Sequence, residues 1–229
     1  MRQLHSYKLY STLCTLFVVL ITIGNLIYKK FVFLPLFSFY TFEISVGAVL
    51  YPLTFLITDL IVEFYGKSKA EFCVTLAIFA NILTLLIIMF TNQLNATTWS
   101  TIDNSTFNKV FGLYGVSFFS SIIACYISQI IDIRIYLWIK KVTNGKFLWL
   151  RNNVSTSFSL FIDTFIVVGI LAIFGVLPFD KITVLIINSY IYKLFFTICS
   201  TPIFCFSVMV IKRMNIKKIS VSVLNRNIC

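Results

Sequence analysis

Glu43, Asp59, Glu63, Asp132, Arg134, Asp163 and Lys193 stand in or at the margins of long apolar runs, where ionisable side chains are rare. A charge at the centre of a hydrocarbon layer costs about 2.5–3.5 kcal/mol on insertion scales, so such residues face a bundle interior, a cavity or an opposite charge. On a helix, Asp59 and Glu63 stack on one side, flanked by Tyr51, Thr54 and Thr58. Ser121, Cys125, Gln129 and Asp132 recur at steps of four, four and three, Ser155, Ser159 and Asp163 make a third stripe, and Ser189, Lys193 and Thr197 a fourth. Four helices would thus each bring a polar seam to one bundle. Blander readings stand beside this one. Glu63 and Asp132 fall near the ends of their runs, where a carboxylate reaches water, Arg134 can pair with Asp132, and Asp163 with Lys193 can be a buried ion pair holding two helices together. Asp59 is different, because nothing basic lies near it in sequence.

Hydrolytic and metal chemistry lack their usual groups. There is no H-E-x-x-H, no G-x-S-x-G and no paired-cysteine motif, and the single histidine, His5, lies in the N-terminal stretch. The six cysteines, Cys14, Cys73, Cys125, Cys199, Cys205 and Cys229, are scattered through apolar sequence and read as small packing residues. The expectation is a protein that is not an enzyme and uses no metal or cofactor.

The elements that must position these residues follow from composition. Of 229 residues, 59% are hydrophobic and 12% charged, and the mean hydropathy is +0.95, well outside the range of a soluble domain. A helix needs about 20 apolar residues to cross a bilayer. Runs of that order occupy residues 9–28, 44–64, 72–90, 110–131, 155–176 and 182–211, so the sequence predicts an all-α membrane protein: one polytopic domain, 1–229, with six transmembrane helices. Residues 31–40 contain Pro35 and are too short to span, which suggests a re-entrant or interfacial segment before the second span. The first run is as long as a full span and lacks a small-residue cleavage site, so it reads as a retained helix rather than a signal peptide.

The net charge of +11 raises the question of nucleic acid, but the basic residues sit in short connections and at the ends, as membrane proteins distribute them. With the N-terminus in the cytoplasm, Arg2, Lys8, Lys67, Lys69, Lys140, Lys141, Lys146, Arg151, Lys212, Arg213, Lys217, Lys218 and Arg226 fall inside, against Lys29, Lys30, Lys109 and Lys181 outside. That asymmetry puts both termini in the cytoplasm. The bilayer is the expected partner and nucleic acid is not; a homodimer is left open.

The stretch Gly47–Gly66, GAVLYPLTFLITDLIVEFYG, resembles the signature of the queuosine precursor transporter family, also described as a vitamin uptake transporter family. The resemblance continues through Ser121–Asp132 (SIIACYISQIID), Leu148–Asn153 (LWLRNN), Ser155-Thr156, Asp163-Thr164, Tyr192-Lys193 and Thr201-Pro202, in order along nearly every span. One departure is Leu160, where the family usually carries Gln three residues before the Asp-Thr pair. The resemblance implies a fold similar to the six-helix substrate-binding subunits of energy-coupling-factor importers. It also implies import, across a bacterial inner membrane, of a 7-deazaguanine: the cyano or aminomethyl precursor base, or queuine. A guanine-like edge offers a ring N–H and an exocyclic amine side by side, and one carboxylate can accept both. Asp59, Glu63, Asp132 and Asp163 are the candidate acceptors, Lys193 and Arg151 the candidate donors to the ring carbonyl, Gln129 and Asn153 further polar candidates, and the Phe and Tyr rings candidate stacking surfaces. A subunit that docks an energising module, or a non-transport structural membrane protein, is the alternative; the large residues of the first run favour a solitary carrier.

A reporter fused after the last residue checks the topology. It is expected to read out from the cytoplasm, and a signal from the opposite side overturns the six-span orientation.

Overall fold

The computed structural model describes the backbone of residues 2–28, 30–37, 40–112, 114–177 and 179–224, and their side chains apart from 2–6, 36, 37, 40, 112, 114, 115, 117 and 214–224. Arg2, His5, Lys29, Lys217, Lys218, Arg226 and Cys229 lie outside the described side chains. In chain order the elements are α1 (Arg2–Ile27), β1 (Phe31–Phe37), β2 (Tyr40–Ser45), α2 (Val46–Tyr65), α3 (Lys67–Thr91), a short α4 (Asn104–Phe107) running into a π-helical turn (Asn108–Gly112), α5 (Tyr114–Val142), α6 (Leu148–Ile173) and α7 (Phe179–Leu224). Six of these helices, all but α4, are long and apolar enough to cross a membrane.

The fold departs from all-α at residues 31–45. Instead of one irregular segment, Phe31–Phe37 and Tyr40–Ser45 pair as an antiparallel hairpin, with its register disturbed between Leu34 and Phe37, around Pro35, which has no N–H to give a ladder. Phe42 and Ile44 are buried against Tyr192 of α7, while Phe33 on the opposite strand is 75% exposed. Backbone pairing satisfies the polar groups of a stretch too short to be a spanning helix.

α2 is the organising helix and packs on α1, α3, α5, α6 and α7. Ser45 caps it, accepting from the Gly47 N–H at 3.2 Å and donating to the Tyr28 carbonyl, which pins the end of α1 to the start of α2. There the two helices touch backbone to backbone. A Cβ on Gly47 would stand 2.3 Å from the Gly24 carbonyl oxygen and 2.9 Å from the Tyr28 Cβ. At its other end Gly66, at φ 81°, turns the chain straight into α3, a conformation that costs glycine nothing.

α3 shows how the bundle meets lipid. Its buried residues, Ala70, Cys73, Val74, Ala77 and Asn81, are mostly small and share one face, which lets neighbouring backbones approach. Phe72, Phe79, Leu86 and Phe90 on the other face are more than half exposed, as side chains solvated by acyl tails are. α5 continues to Val142, well past Ile131 where the apolar run seemed to end, and α7 continues past Ile211 to Leu224.

Gly47→Ala is expected to lower the unfolding temperature, with a cost of about 1–3 kcal/mol or more from overpacking. Gly169→Ala on α6, where an added Cβ meets nothing within 4 Å, should leave it within about 1 kcal/mol. Thermal unfolding of both variants in detergent reads the difference.

Candidate functional site

A cavity of about 120 Å³ opens between the ends of α1 and α6 and the starts of α2 and α7. A single water needs only about 10–15 Å³ on that measure, so the space admits a small organic molecule. Ile21, Val168, Leu171 and Leu185 give it apolar walls, and Tyr28, Phe31 and Tyr51 bring rings to its rim or wall. Its polar groups converge on Asp163 and Lys193.

These two are buried, at 2% and 5% exposure. The Lys193 ammonium donates to Asp163 Oδ2 at 2.8 Å and to Thr164 Oγ1 at 3.1 Å, and sits 4.8 Å from the centre of the Tyr51 ring. Tyr51 donates its hydroxyl to Asp163 Oδ1 at 2.6 Å, and Ser128 approaches the same oxygen at 3.5 Å. Such a pair is stable in a dry interior because each charge is answered by the other and by further hydrogen bonds. Asn25 and Ser121 also line the cavity. Asn25 accepts from Ser121 at 2.6 Å and donates to Asn81 at 2.9 Å, linking α1, α5 and α3. Pro52, inside α2, has no N–H to return to the carbonyl of Ala48, and Ala48 is a wall of the cavity.

Below the cavity the seams form layers. Thr58 donates to Gln129 Oε1 at 2.8 Å, and Gln129 donates to Thr54 at 3.3 Å. One turn further, Asp59 and Asp132 face each other, both with no exposed surface. Asn152 donates to Asp59 Oδ2 at 2.5 Å and Thr156 reaches the same oxygen at 3.5 Å, whereas Asp59 Oδ1, both Asp132 oxygens and Ser159 Oγ accept or donate no hydrogen bond. The last layer belongs to Glu63. Its Oε2 binds Arg151 at 2.7 Å, Lys140 at 2.8 Å and the Tyr136 hydroxyl at 3.2 Å, and Lys212 stands 3.6 Å from Oε1.

The structure therefore distributes the expected site residues along one axis rather than around one ligand. Asp163 and Lys193 border the cavity. Gln129, Asp59, Asp132, Glu63 and Arg151 lie outside its walls. Arg151 is held by Glu63, by the Tyr136 hydroxyl at 3.1 Å and by the Gly145 carbonyl at 3.1 Å. Asn153 turns away from the seams, donating to the Trp149 carbonyl and accepting from Thr201, and its neighbour Asn152 takes the inward position instead. Asp132 is not an interfacial residue paired with Arg134: α5 runs on to Val142, so Asp132 lies inside the helix and Arg134 is exposed. Leu160 is buried but is not a cavity wall, so the departure from the family pattern lies in the core and not at the cavity. Sequence reading missed Asn25 and Tyr136, whose signal is the same as for the others, a polar side chain inside an apolar run.

Residues 45–207, α2 to most of α7, match the family described as "Putative vitamin uptake transporter". The chain belongs to this family. It is a multi-pass membrane protein by its six apolar helices, and the family match begins at the cap of α2, leaving α1 and most of the hairpin outside it. A protein of Bacillus subtilis (strain 168) named "Probable queuosine precursor transporter" is 31% identical over 159 residues, 69% of each chain. No solved structure matches, so the likeness to energy-coupling-factor subunits rests on the sequence resemblance alone.

Lys193→Met leaves Asp163 buried without its cation and is expected to destabilise the protein by about 3–5 kcal/mol. Adding Asp163→Leu should recover most of that, because a hydrophobic replacement of both partners is close to neutral. Chemical unfolding of the two single variants and the double variant in detergent measures the coupling.

Proposed function

We propose that this protein imports a 7-deazaguanine base, a queuosine precursor, through a bacterial inner membrane with both termini in the cytoplasm, and that the cavity above Asp163 and Lys193 seats the base. The observation that carries this reading is the cavity floor: a buried carboxylate and ammonium held side by side under apolar walls with aromatic rings at hand. Asp163 accepts the ring N–H and exocyclic amine, charge-assisted bonds strengthened by the dry surroundings. Lys193 donates to the ring carbonyl next to them, and Tyr51 or Tyr28 covers a face of the base. The relative named for queuosine precursor transport supports the same class of solute. A purely structural membrane protein has no need of a charged floor beneath an apolar cavity. The convergence of Lys140, Arg151 and Lys212 on Glu63 supports the topology, since all of these belong to the side the basic asymmetry places in the cytoplasm.

The test is restoration of queuosine in tRNA of cells that can neither make nor import the base, supplied in turn with the cyano base, the aminomethyl base and queuine. A membrane-inserted protein that restores none of them refutes the reading. On purified protein, Asp163→Asn sets an amide donor against the base's donors and is expected to weaken binding at least about tenfold, from a loss of about 2–5 kcal/mol. Tyr51→Phe, a milder change that removes one bond to the carboxylate, should cost about 1.5–3 kcal/mol, and Asn153→Ala should not change the affinity.

A further inference from the structure

Asp59 and Asp132 are the buried charges that the cavity does not use and no cation answers. Both have no exposed surface. Among the described residues the ion pairs go to Glu63, Glu71 and Asp163, and none reaches either aspartate. The charged and titratable groups around them are already engaged. On α2, α5, α6 and α7, Glu63, Tyr136, Lys140, Arg151 and Lys212 bind one another a turn away. Tyr51 and Lys193 serve Asp163. On α1 and α3 the described charged residues, Lys8, Lys67, Lys69 and Glu71, lie at the surface ends, with Lys67 paired to Glu71.

The two carboxyl groups face each other, and among the described residues Asp59 Oδ1 and both Asp132 oxygens find no hydrogen-bond donor. Two carboxylates are acceptors only, so nothing can pass between them unless one carries a hydrogen. Ser155, Thr156 and Ser159 of α6 all lie beside Asp132, and the fully buried Ser159 hydroxyl oxygen is likewise without a partner. Two like charges facing each other with no cation are costly even with the amide and hydroxyl that reach Asp59, and a shared proton is the standard resolution. Thr58 next to Asp59 and Gln129 a turn before Asp132 bond to each other, and Gln129 to Thr54, on the cavity side of the pair, so the site is on the axis that links cavity and Glu63 layer.

We propose that Asp59 and Asp132 form the binding site for one transported proton, shared between the two carboxylates and exchanged in step with the solute. The proton is taken up by the pair from the cavity side and released toward the Glu63 layer, and no bond to the solute is made or broken. The proton site stands on the pair alone; its coupling to a deazaguanine rests on the import reading above.

The test uses the full-length protein reconstituted in lipid vesicles as wild type, Asp59→Asn, Asp132→Asn and Glu63→Gln. Infrared difference spectra between neutral and alkaline pH read a protonated carboxyl directly and need no solute. Wild type is expected to show a carboxylic-acid carbonyl band at neutral pH that each Asn variant loses and Glu63→Gln keeps. Asp132→Glu retains the acid and shifts the band, an assignment that does not require the neutral variants to fold. In the same vesicles an inward acid gradient should drive accumulation of labelled 7-aminomethyl-7-deazaguanine by wild type, and in Asp132→Asn that response is lost. No such band in wild type, a gradient response intact in both Asn variants, or accumulation driven by sodium at equal pH each overturns the proposal. The band without entry of any deazaguanine upholds the proton site and counts against the substrate reading instead.

Discussion

Hydrocarbon cannot solvate a carboxylate, and this chain places Asp59, Glu63, Asp132 and Asp163 on the inner faces of its helices. Each has to be answered from within the bundle, and the answers differ with depth. Asp163 has a matched ammonium and a phenol, Glu63 has three cations and a phenol, and Asp59 has an amide and a hydroxyl. Because every partner comes from another helix, the charges act as registers: slide α6 against α2 by one turn and each layer loses a partner, Tyr51 from Asp163, Asn152 and Thr156 from Asp59, and Arg151 from Glu63. Helix association in lipid has no hydrophobic driving force, so these polar layers and the close contact of small residues must fix the packing.

α2 can serve all layers because its sequence changes character along its length. Its first turn carries Gly47 and Ala48, which admit α1 at backbone distance and leave space for the cavity. Pro52 then leaves the Ala48 carbonyl without its helical donor, and beside it Tyr192 of α7 donates to the Val49 carbonyl at 3.1 Å, so α7 rather than lipid lies against this part of the backbone. Beyond it Thr54 and Thr58 direct their hydroxyls to their own helix and to Gln129, and the carboxylates follow. Ser45 joins this helix to the hairpin and to α1, so the cap that starts α2 also sets one edge of the cavity.

Six spans and the polar stripes were legible because both obey simple periods: about 20 apolar residues per crossing, and steps of three and four along a helix. What sequence could not supply was depth and pairing. Asp132 looked terminal because Arg134 and Lys140 dilute the apolar run, although the helix runs to Val142. Asn152 and Asn153 are adjacent and alike, and only the rotation of α6 decides that the first faces Asp59 while the second faces Thr201. The hairpin was hidden by its length, since Phe31–Ser45 is too short to span and its strands are bent at Pro35. Lys193 and Asp163 are thirty residues apart in sequence, and their pairing was legible as a bland alternative without any sign that it floors a cavity.

The difference between the two acidic layers has a consequence for selectivity. Asp163 and Lys193 together are neutral, so on the proposed reading a neutral base enters without bringing uncompensated charge into the bundle. On the import reading it must share Asp163 with Lys193 and Tyr51, which already hold it, and a purine lacking the exocyclic amine would leave part of the Asp163 carboxylate unpaired in a dry site. Sites built to hydrogen-bond a particular donor reject the analogue without it by factors on the order of 10⁴, far more than an apolar pocket achieves by size. The Asp59–Asp132 layer has no built-in cation among the described residues; on the proton-sharing proposal its charge state changes beneath a layer that does not, which separates the energetics of transport from the recognition of what is transported.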